Sequence, residues 1–283
     1  MRKHAGLLAA GAATMALAMT GGATAEEKRV EASDGVVFTV KAEPPEGHPL
    51  TEVLSGFEFR KEETQDIQLD DFQNPGFLWV ERGEAIWNTV EGEAGKSCAS
   101  CHGDAEESMK GVGAAMPKWN EALGKPVNLE MQIDLCRTEE MGAPAYKFDD
   151  DAQKAIVTYV RSQSRGMPID IQTDGPMEAW WERGKEIYYT RSGQLDMACA
   201  NCHEDNYGNH IRADFLSQGQ SNGFPTYRMK SQGVVSLHNR FKGCMRDVRA
   251  EPYKPMSDEF LALEVYVAWR GTGLTVETPA VRN

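Results

Sequence analysis

The amino-acid sequence predicts a mainly α-helical protein made of two related units in tandem, preceded by an N-terminal extension. Three observations support this fold class: an internal repeat over most of the chain, one pattern of cysteines and histidine in each copy, and amphipathic segments around each pattern. The 283 residues carry 30 Lys and Arg against 43 Asp and Glu, a formal charge of −13. This charge argues against nucleic acid and anionic membranes as partners and favours a protein with a basic docking face.

Residues 1–25 have the features of a secretory signal peptide. Residues 2–4 are basic, residues 7–19 form an apolar run, and residues 23–25 are the small residues of a cleavage site. The apolar run is too short and too rich in Ala, Gly and Thr for a membrane anchor. We therefore expect a soluble protein exported to the periplasm. Its mature chain would begin at Glu26 and carry a charge of about −15, since the removed residues hold two cations and no acids.

Residues 26–75 lie outside the repeat and form the N-terminal extension. The sequence Val-Val-Phe-Thr-Val at 36–40 predicts a short strand. Residues 43–49 follow it with two prolines, a glycine and a further proline, which favour turns. The extension is acidic, and we expect it to wrap one of the units or to meet a partner protein.

The internal repeat is the strongest organisational signal in the chain. Eight residues recur 101 positions later, each as the same residue type: Trp79, Glu81, Arg82, Gly83, Ile86, Cys98, Cys101 and His102. A lone cysteine follows in each copy, and Cys136 and Cys244 are 108 positions apart. The second copy therefore has seven extra residues between its paired cysteines and its lone cysteine. Matches in this order indicate two homologous units.

We place the first unit at residues 76–165, a linker at 166–176 and the second unit at 177–283. Each unit begins with an amphipathic helix that contains the motif Trp-x-Glu-Arg-Gly-x-x-Ile. Each ends with a helix; in the second unit Ser257 is a good N-cap, because two acidic residues follow it. Glycine permits close backbone approach, so Gly83 and Gly184 are expected where the first and last helices of each unit cross.

The pattern CxxCH marks the covalent attachment of haem c. It occurs as Cys98-Ala-Ser-Cys101-His102 and as Cys199-Ala-Asn-Cys202-His203. The two thiols bond to the haem vinyl groups, and the adjacent histidine becomes the proximal iron ligand. We therefore expect two haem c groups. With a helix before each motif and an aromatic-bearing helix after it, each unit resembles class I cytochrome c, so the predicted fold is two tandem class I cytochrome c-like domains.

The lone cysteines are the main problem that this sequence sets. Both stand in the segment where a distal iron ligand belongs, so thiolate ligation of both irons is the preferred interpretation. An interdomain disulfide and inert burial remain alternatives. Methionine or histidine could ligate instead, and the nearby residues are Met116, Met141, Met229, Met256, His210 and His238. A thiolate stabilises ferric iron and lowers its potential, which does not suit a simple high-potential electron carrier.

The surroundings of the two lone cysteines differ in charge. Cys136 lies in an apolar and acidic stretch with one neighbouring cation, Arg137. Cys244 is surrounded by four cations: Arg240, Lys242, Arg246 and Arg249. Such a cluster keeps a thiol ionised and can bind a small dianion such as a sulfur oxyanion, or it can neutralise haem propionates. Arg240 is the first choice for substrate, because in a helix it would share a face with Cys244.

Two CxxCH units, a lone cysteine after each, and an Arg-x-x-x-Cys sequence before the final helix resemble the SoxA family of dihaem cytochrome subunits. The resemblance covers essentially the whole mature chain. It implies an L-cysteine S-thiosulfotransferase that pairs with SoxX, a monohaem cytochrome c. Such a complex oxidatively joins thiosulfate to a cysteine of SoxY in the SoxYZ carrier and passes two electrons to a c-type cytochrome.

The resemblance also implies roles for individual residues. His102 and Cys136 would ligate the first iron, and His203 and Cys244 the second. Cys244 would also be the active-site cysteine, which in this family can carry a persulfide sulfur. Substrate binding would then fall to cations close to it: Arg240, Lys242 and Arg246.

Three other functions compete with this interpretation. A non-catalytic dihaem electron carrier would have methionine or histidine as distal ligands and would not depend on thiosulfate. A dihaem peroxidase would need an open iron position, which two thiolate ligands would block. A thiosulfate dehydrogenase would couple two thiosulfates to tetrathionate without a carrier protein.

Overall fold

The computed structural model of this chain describes residues 26–212 and 214–283; the predicted signal peptide lies outside them. The helices are α1 Glu62–Leu69, α2 Phe77–Asn88, α3 Cys98–His102, α4 Ala105–Ser108, α5 Leu129–Leu135, α6 Asp151–Ser162, α7 Glu178–Tyr189, α8 Cys199–His203, α9 Leu237–Asp247 and α10 Asp258–Arg270. The strands are β1 Lys28–Glu31, β2 Val37–Ala42, β3 Val53–Leu54, β4 Lys118–Asn120, β5 Lys125–Val127, β6 His210–Ile211, β7 Asp214–Phe215, β8 Thr226–Arg228, β9 Gly233–Val235 and β10 Ala280–Arg282. Within the described ranges, no helix is both long and apolar enough to span a membrane.

The repeat is visible in the order of the elements. In each unit a long helix precedes a short helix that carries CxxCH, an antiparallel strand pair follows, and two further helices end the unit. The peptide bonds Met116–Pro117 and Phe224–Pro225 are both cis and occupy equivalent positions. The seven extra residues of the second unit therefore lie between α8 and Phe224, where the chain forms the β6–β7 hairpin.

The first and last helices of each unit cross at glycine, as the sequence predicts. A Cβ atom added to Gly83 would lie 2.3 Å from the carbonyl oxygen of Ala155 on α6. A Cβ atom added to Gly184 would lie 2.0 Å from the carbonyl oxygen of Ala262 on α10. Neither position has room for a side chain, so glycine sets the distance between the helices in both units.

The N-terminal extension packs against the second unit. The predicted strand is β2, the central strand of the antiparallel sheet β1–β2–β3. The backbone N–H of Thr39 donates to Oγ1 of Thr275 at 3.0 Å, and that of Val281 donates to Oε1 of Gln68 at 3.0 Å. The segment 166–176, which the sequence predicts to be a linker, runs alongside the C-terminal residues of the second unit. The N–H of Ile169 donates to the carbonyl of Leu274 at 2.9 Å.

The two units face each other through equivalent surfaces. A small cavity between them is lined by repeat-equivalent pairs, Met116 with Phe224 and Leu129 with Leu237. Facing equivalent residues indicate an approximate twofold relation between the units. Three charged side chains around the same cavity break that symmetry: Glu130, Arg161 and Glu264.

Candidate haem sites and active site

The second unit contains a cavity lined by both His203 and Cys244. Its empty volume is about 830 Å³ and it opens to solvent. His203 comes from α8 and Cys244 from α9, so the structure brings together a CxxCH histidine and a lone cysteine 41 residues apart. An imidazole and a thiol that line one cavity are suitable axial ligands for a haem iron.

The imidazole of His203 is held in a fixed orientation. Its Nδ1 lies 2.7 Å from the carbonyl oxygen of Ser217, so Nδ1 carries the hydrogen and Nε2 remains available as an iron ligand. Gly219 approaches the same ring with φ +78°, and an added Cβ would lie 2.9 Å from Cγ of His203. The loop can therefore support the ring only because residue 219 is glycine.

Cys244 and Arg240 lie on the same face of α9. The helix continues through Gly243, which puts the two side chains one turn apart. Burial raises the pKa of the Cys244 thiol, but the charge of Arg240 is the largest of the effects that bring this pKa down to about 7. The thiol is therefore readily ionised, as a ligand or nucleophile must be.

The first unit has the equivalent arrangement with different neighbours. Cys136 begins a π-helical segment, Cys136–Met141, at the end of α5. Nε2 of Gln132, the counterpart of Arg240, lies 3.6 Å from the Cys136 sulfur. The neighbouring cation Arg137 is buried, and its guanidinium already has two partners. It pairs with Glu91 at 2.8 Å and donates to the Tyr146 hydroxyl at 2.8 Å.

A second pair of equivalent glycines holds each lone-cysteine segment against its own CxxCH loop. Gly92 has φ +71°, and an added Cβ would lie 2.1 Å from the carbonyl oxygen of Met141. Gly193 has φ +70°, and its added Cβ would lie 2.2 Å from the carbonyl oxygen of Val248. These glycines are also 101 residues apart, so the internal repeat contains a signal that identifies them.

All six cysteines belong to the described residues, and all are free. Burial is the larger cause of the raised pKa of Cys98 and of Cys199. The charge of the lone cysteine in the same unit raises each pKa further, Cys136 for Cys98 and Cys244 for Cys199. This interaction shows that each lone cysteine lies close to the first cysteine of its own motif. The geometry therefore pairs each lone cysteine with its own CxxCH and does not join the two cysteines in a disulfide.

None of the four alternative distal ligands of the second unit is among the described residues that line this cavity. Met229 is exposed, and the ring of His210 packs on Phe215 with centroids 3.8 Å apart. The Met256 sulfur accepts from Nδ2 of Asn128 at 3.4 Å, and the two ring nitrogens of His238 lie 3.1 Å from the N–H nitrogen of Met256 and 2.9 Å from the Glu264 carboxylate. In the first unit, Met116 and Met141 are buried, and Met116 belongs to the apolar core.

The structure distributes the predicted cations unevenly. Arg240 lines the cavity, whereas Lys242 and Arg246 are outside the set of described residues that line it. The Lys242 ammonium lies 5.8 Å from the ring centroid of Phe148, and Arg246 is exposed. Three arginines that the sequence analysis did not single out line the cavity instead: Arg60, Arg228 and Arg282.

These three arginines come from distant parts of the chain. Arg60 belongs to the N-terminal extension; it pairs with Asp214 and donates to the carbonyl of Phe215 at 3.0 Å. Arg228 ends β8 and lies 3.6 Å from the Asp214 carboxylate. Arg282 is in β10 and pairs with the buried Glu277 at 2.9 Å. The repeat could have identified Arg228, whose counterpart is Asn120, but the extension has no copy with which Arg60 could be compared.

Two helical units of this kind, each with a CxxCH helix facing a lone cysteine, define a two-domain c-type cytochrome. The family model of the SoxA/TsdA cytochrome c domain matches residues 82–169 and 183–276. The L-cysteine S-thiosulfotransferase subunit SoxA of Pseudaminobacter salicylatoxidans is 61% identical over 251 residues, which are 88% of each chain. That of Paracoccus pantotrophus is 48% identical over 99% of this chain and 98% of its own.

A solved structure agrees with these relatives. A chain in the crystal structure of SoxXA from P. pantotrophus superposes with a TM-score of 0.87 and is 48% identical, over 91% of this chain and 98% of that one. The chain therefore belongs to the SoxA family. The predicted fold class, mainly α with two tandem cytochrome c domains, is confirmed.

Proposed function

We propose that this chain is the SoxA subunit of an L-cysteine S-thiosulfotransferase. The observation that carries this function is the cavity in which Cys244 and Arg240 share one helical face beside His203. It combines a sulfur nucleophile of lowered pKa with a cation suited to a sulfur oxyanion. Relatives that are named for this activity, up to 61% identical, support the proposal.

Two haem c groups fit the residues of the chain. Cys98 and Cys101 would attach the first, and Cys199 and Cys202 the second. The axial ligands would be His102 with Cys136 and His203 with Cys244. The cavity that His203 and Cys244 line together, and the fixed ring of His203 with its free Nε2, support this assignment in the second unit. When bound, the haems supply a route for electrons; the chain itself supplies ligands, charge and shape.

The reaction joins thiosulfate to a cysteine thiol of SoxY in the SoxYZ carrier. It consumes one thiol and one thiosulfate and yields one S-thiosulfonate, with one proton and two electrons released. Cys244 would first form a sulfur–sulfur bond to the sulfane sulfur of thiosulfate, and the two electrons of that oxidation would leave to a c-type cytochrome. The carrier thiolate would then attack the same sulfur and displace the Cys244 thiolate.

The partners follow from the same proposal. A monohaem SoxX-like cytochrome c would form a heterodimer with this chain, as the SoxXA crystal structure is named for such a pair. The strongly acidic surface suits encounter with a basic docking face on another protein. Export to the periplasm would follow from the signal peptide predicted at residues 1–25.

Substitution of the active-site cysteine tests the function directly. In the holoprotein with its SoxX partner, Cys244→Ala should abolish thiosulfate-dependent reduction of a c-type cytochrome in the presence of SoxYZ. Both haems should stay covalently attached, because Cys199 and Cys202 are unchanged; absorption after denaturation would verify this. Retained turnover would refute the role of Cys244. Turnover that forms tetrathionate and needs no SoxYZ would instead favour a thiosulfate dehydrogenase.

Electron paramagnetic resonance of the oxidised protein tests the iron ligands. Low-spin signals of the His/thiolate type are expected from both haems. Cys136→Ala should remove one of these signals, and Cys244→Ala the other. His/Met signals in the unsubstituted protein would contradict the ligand assignment.

A further inference from the structure

Three features that the proposed function does not yet use meet at the mouth of the second cavity. They are the N-terminal extension, the β6–β7 hairpin that only the second unit has, and the end of strand β8. Arg60 belongs to the extension, Asp214 to the hairpin and Arg228 to the end of β8. All three side chains line the same cavity as Cys244. An insertion and an extension that converge on one cavity indicate a function specific to the second unit.

The charges around this cavity do not balance. Arg282 is offset by Glu277 at 2.9 Å, and Arg240 faces the Cys244 thiol, whose charge raises the pKa of this guanidinium. Arg60 and Arg228 then share one carboxylate, Asp214, among the described residues of the lining. Buried cations normally need paired anions, because removing a charge from water costs several kcal/mol. The excess therefore favours a bound anion.

Arg60 and Arg228 differ in how many of their guanidinium donors have hydrogen-bond partners. Arg60 has two partners, the Asp214 carboxylate and the carbonyl of Phe215, and its side chain is only 4% exposed. This arrangement fixes the β6–β7 hairpin to the extension. Arg228 lies 3.6 Å from Asp214, beyond normal hydrogen-bond distance, so its donors remain available.

Arg228 and Arg240 also repel each other. Burial lowers the pKa of the Arg228 guanidinium, and the positive charge of Arg240 is the next cause. Two adjacent guanidinium groups repel each other when no anion is bound, and an anion that accepts hydrogen bonds from both stabilises them. Guanidinium donors suit the oxygens of a sulfonate group, and two of them match a dianion.

The first unit serves as an internal control for this pair. Its residues at the positions of Arg228 and Arg240 are Asn120 and Gln132, which are neutral amides. Asn120 accepts from the N–H of Leu123 at 3.0 Å, and Gln132 lies against Cys136. Since a haem is expected in both units, the binding of a haem does not by itself account for cations at these positions in the second unit alone. A ligand specific to the second unit, such as its substrate, does account for them.

We propose that Arg228 is a second thiosulfate-binding residue, which holds the dianion together with Arg240 against Cys244. Asp214, fixed by Arg60, is a positioning residue that keeps the Arg228 guanidinium at the cavity mouth. This inference rests on the proposed function and specifies how its substrate is recognised. It gives both the seven-residue insertion and the N-terminal extension a role in specificity.

The test compares Arg228→Gln with Lys230→Gln in the holoprotein complexed with SoxX, with SoxYZ as acceptor. Lys230 is exposed on the β8–β9 connection and is absent from the cavity lining among described residues, so it controls for loss of one positive charge. Arg228→Gln should raise KM for thiosulfate about tenfold with kcat largely unchanged, since a hydrogen bond from a charged donor to the substrate is lost. Lys230→Gln should leave both constants unchanged.

Two further measurements keep the result unambiguous. Arg228→Lys retains the charge without the fork of donors, so its KM should lie between those of wild type and Arg228→Gln. Calorimetric binding of thiosulfate to the oxidised proteins should weaken in the same order, while the midpoint potentials of the haems stay unchanged. A shifted potential with unchanged KM would overturn the proposal and assign Arg228 to a propionate.

The failures of the two proposals are distinguishable. If wild-type protein does not conjugate thiosulfate to SoxYZ, the proposed function fails. If wild type is active and Arg228→Gln has the same KM and the same thiosulfate affinity, only the assignment of Arg228 fails.

Discussion

The two lone cysteines occupy equivalent places in two homologous units, yet their surroundings differ in charge. Around Cys136 the equivalent positions are the amides Asn120 and Gln132, and Arg137 is neutralised by Glu91 at 2.8 Å. Around Cys244 those positions are Arg228 and Arg240, and both line an open cavity. The same scaffold thus holds a thiol in a neutral setting in one unit and in a cationic setting in the other.

This difference separates what the fold requires from what the chemistry requires. Features present in both units, such as the crossing glycines and the cis prolines, serve the scaffold. Features present only in the second unit are the paired arginines, the inserted hairpin and the ion pair between that hairpin and Arg60 of the extension. An internal repeat therefore provides a comparison that a single sequence usually lacks.

The largest expected effect comes from making the second site resemble the first. Arg240→Gln introduces the residue that the first unit has at position 132. It should lower kcat/KM for thiosulfate between about tenfold and a hundredfold, because a charged hydrogen bond to the substrate is lost. Steady-state kinetics with SoxYZ and a c-type cytochrome would measure it.

The controls for this substitution separate position from charge. Lys254→Gln removes an exposed cation and should leave kcat/KM unchanged. Lys242→Gln and Arg246→Gln test the other two cations predicted from the sequence, and each should have a smaller effect than Arg240→Gln. An equal loss in all three variants would show that overall charge, and not the position of Arg240, determines thiosulfate use.

A second prediction concerns what the units share. Gly184→Ala should lower the free energy of unfolding by about 1–3 kcal/mol, because the new methyl group would lie 2.0 Å from the Ala262 carbonyl oxygen and force α7 from α10. Gly83→Ala should cost a similar amount in the first unit. Denaturant titrations of the holoprotein would compare the two variants.

Gly243→Ala is the matched control for these crossings. Gly243 is also helical, but an added Cβ would meet nothing within 4 Å. Since alanine favours helix over glycine, this variant should be more stable by about 0.5–1 kcal/mol. Destabilisation of the same size in Gly243→Ala would show that close helix approach is not the cause.

The smallest predicted effect is a pH dependence at the interface of the units. Glu130 on α5 faces Arg161 from α6, Glu264 from α10 and His238 from α9. Burial, and then the charge of Glu264, raise the pKa of Glu130 from 4.5 to about 7. The folded protein therefore holds this proton more tightly than the unfolded chain. Stability from this group is present below about pH 4.5 and is lost as the pH rises through 7.

Glu130→Gln should remove this dependence. Its free energy of unfolding should exceed that of wild type at pH 8, on the order of 1 kcal/mol, with a smaller difference at pH 5. Glu139→Gln alters an exposed carboxylate of the same region and should keep the wild-type profile. Parallel pH profiles for Glu130→Gln and wild type would show that Glu130 does not titrate in this range.

Much of the fold could be predicted because it depends on local signals that occur twice. The CxxCH motifs, the crossing glycines and the N-cap at Ser257, whose Oγ accepts from the N–H of Phe260, each have a local physical cause. The position of Arg240 one helical turn before Cys244 also followed from sequence spacing, because α9 continues through Gly243. The role of Arg240 in substrate binding stays a prediction.

The rest of the site depends on contacts that sequence spacing does not contain. Lys242 and Arg246 are close to Cys244 in sequence, but residues two positions apart point to different sides of a helix. Arg60 reaches the cavity from 184 positions away, through an extension without an internal copy. The π-helical segment that begins at Cys136 likewise has no simple sequence pattern.

Contacts between the N-terminal extension and the C-terminal strand affect whether the second unit could be isolated from the rest of the chain. Strand β10 pairs in parallel with β8, the strand that ends in Arg228, and its neighbour Pro279 accepts at its carbonyl from Nδ2 of Asn74 at 2.9 Å. The extension thus bonds to the segment that borders β8, and it supplies a wall of the cavity through Arg60. A second unit cut out as an independent module would lack that wall. The internal repeat describes two modules, but the contacts of the extension make the second cavity depend on a segment outside both of them.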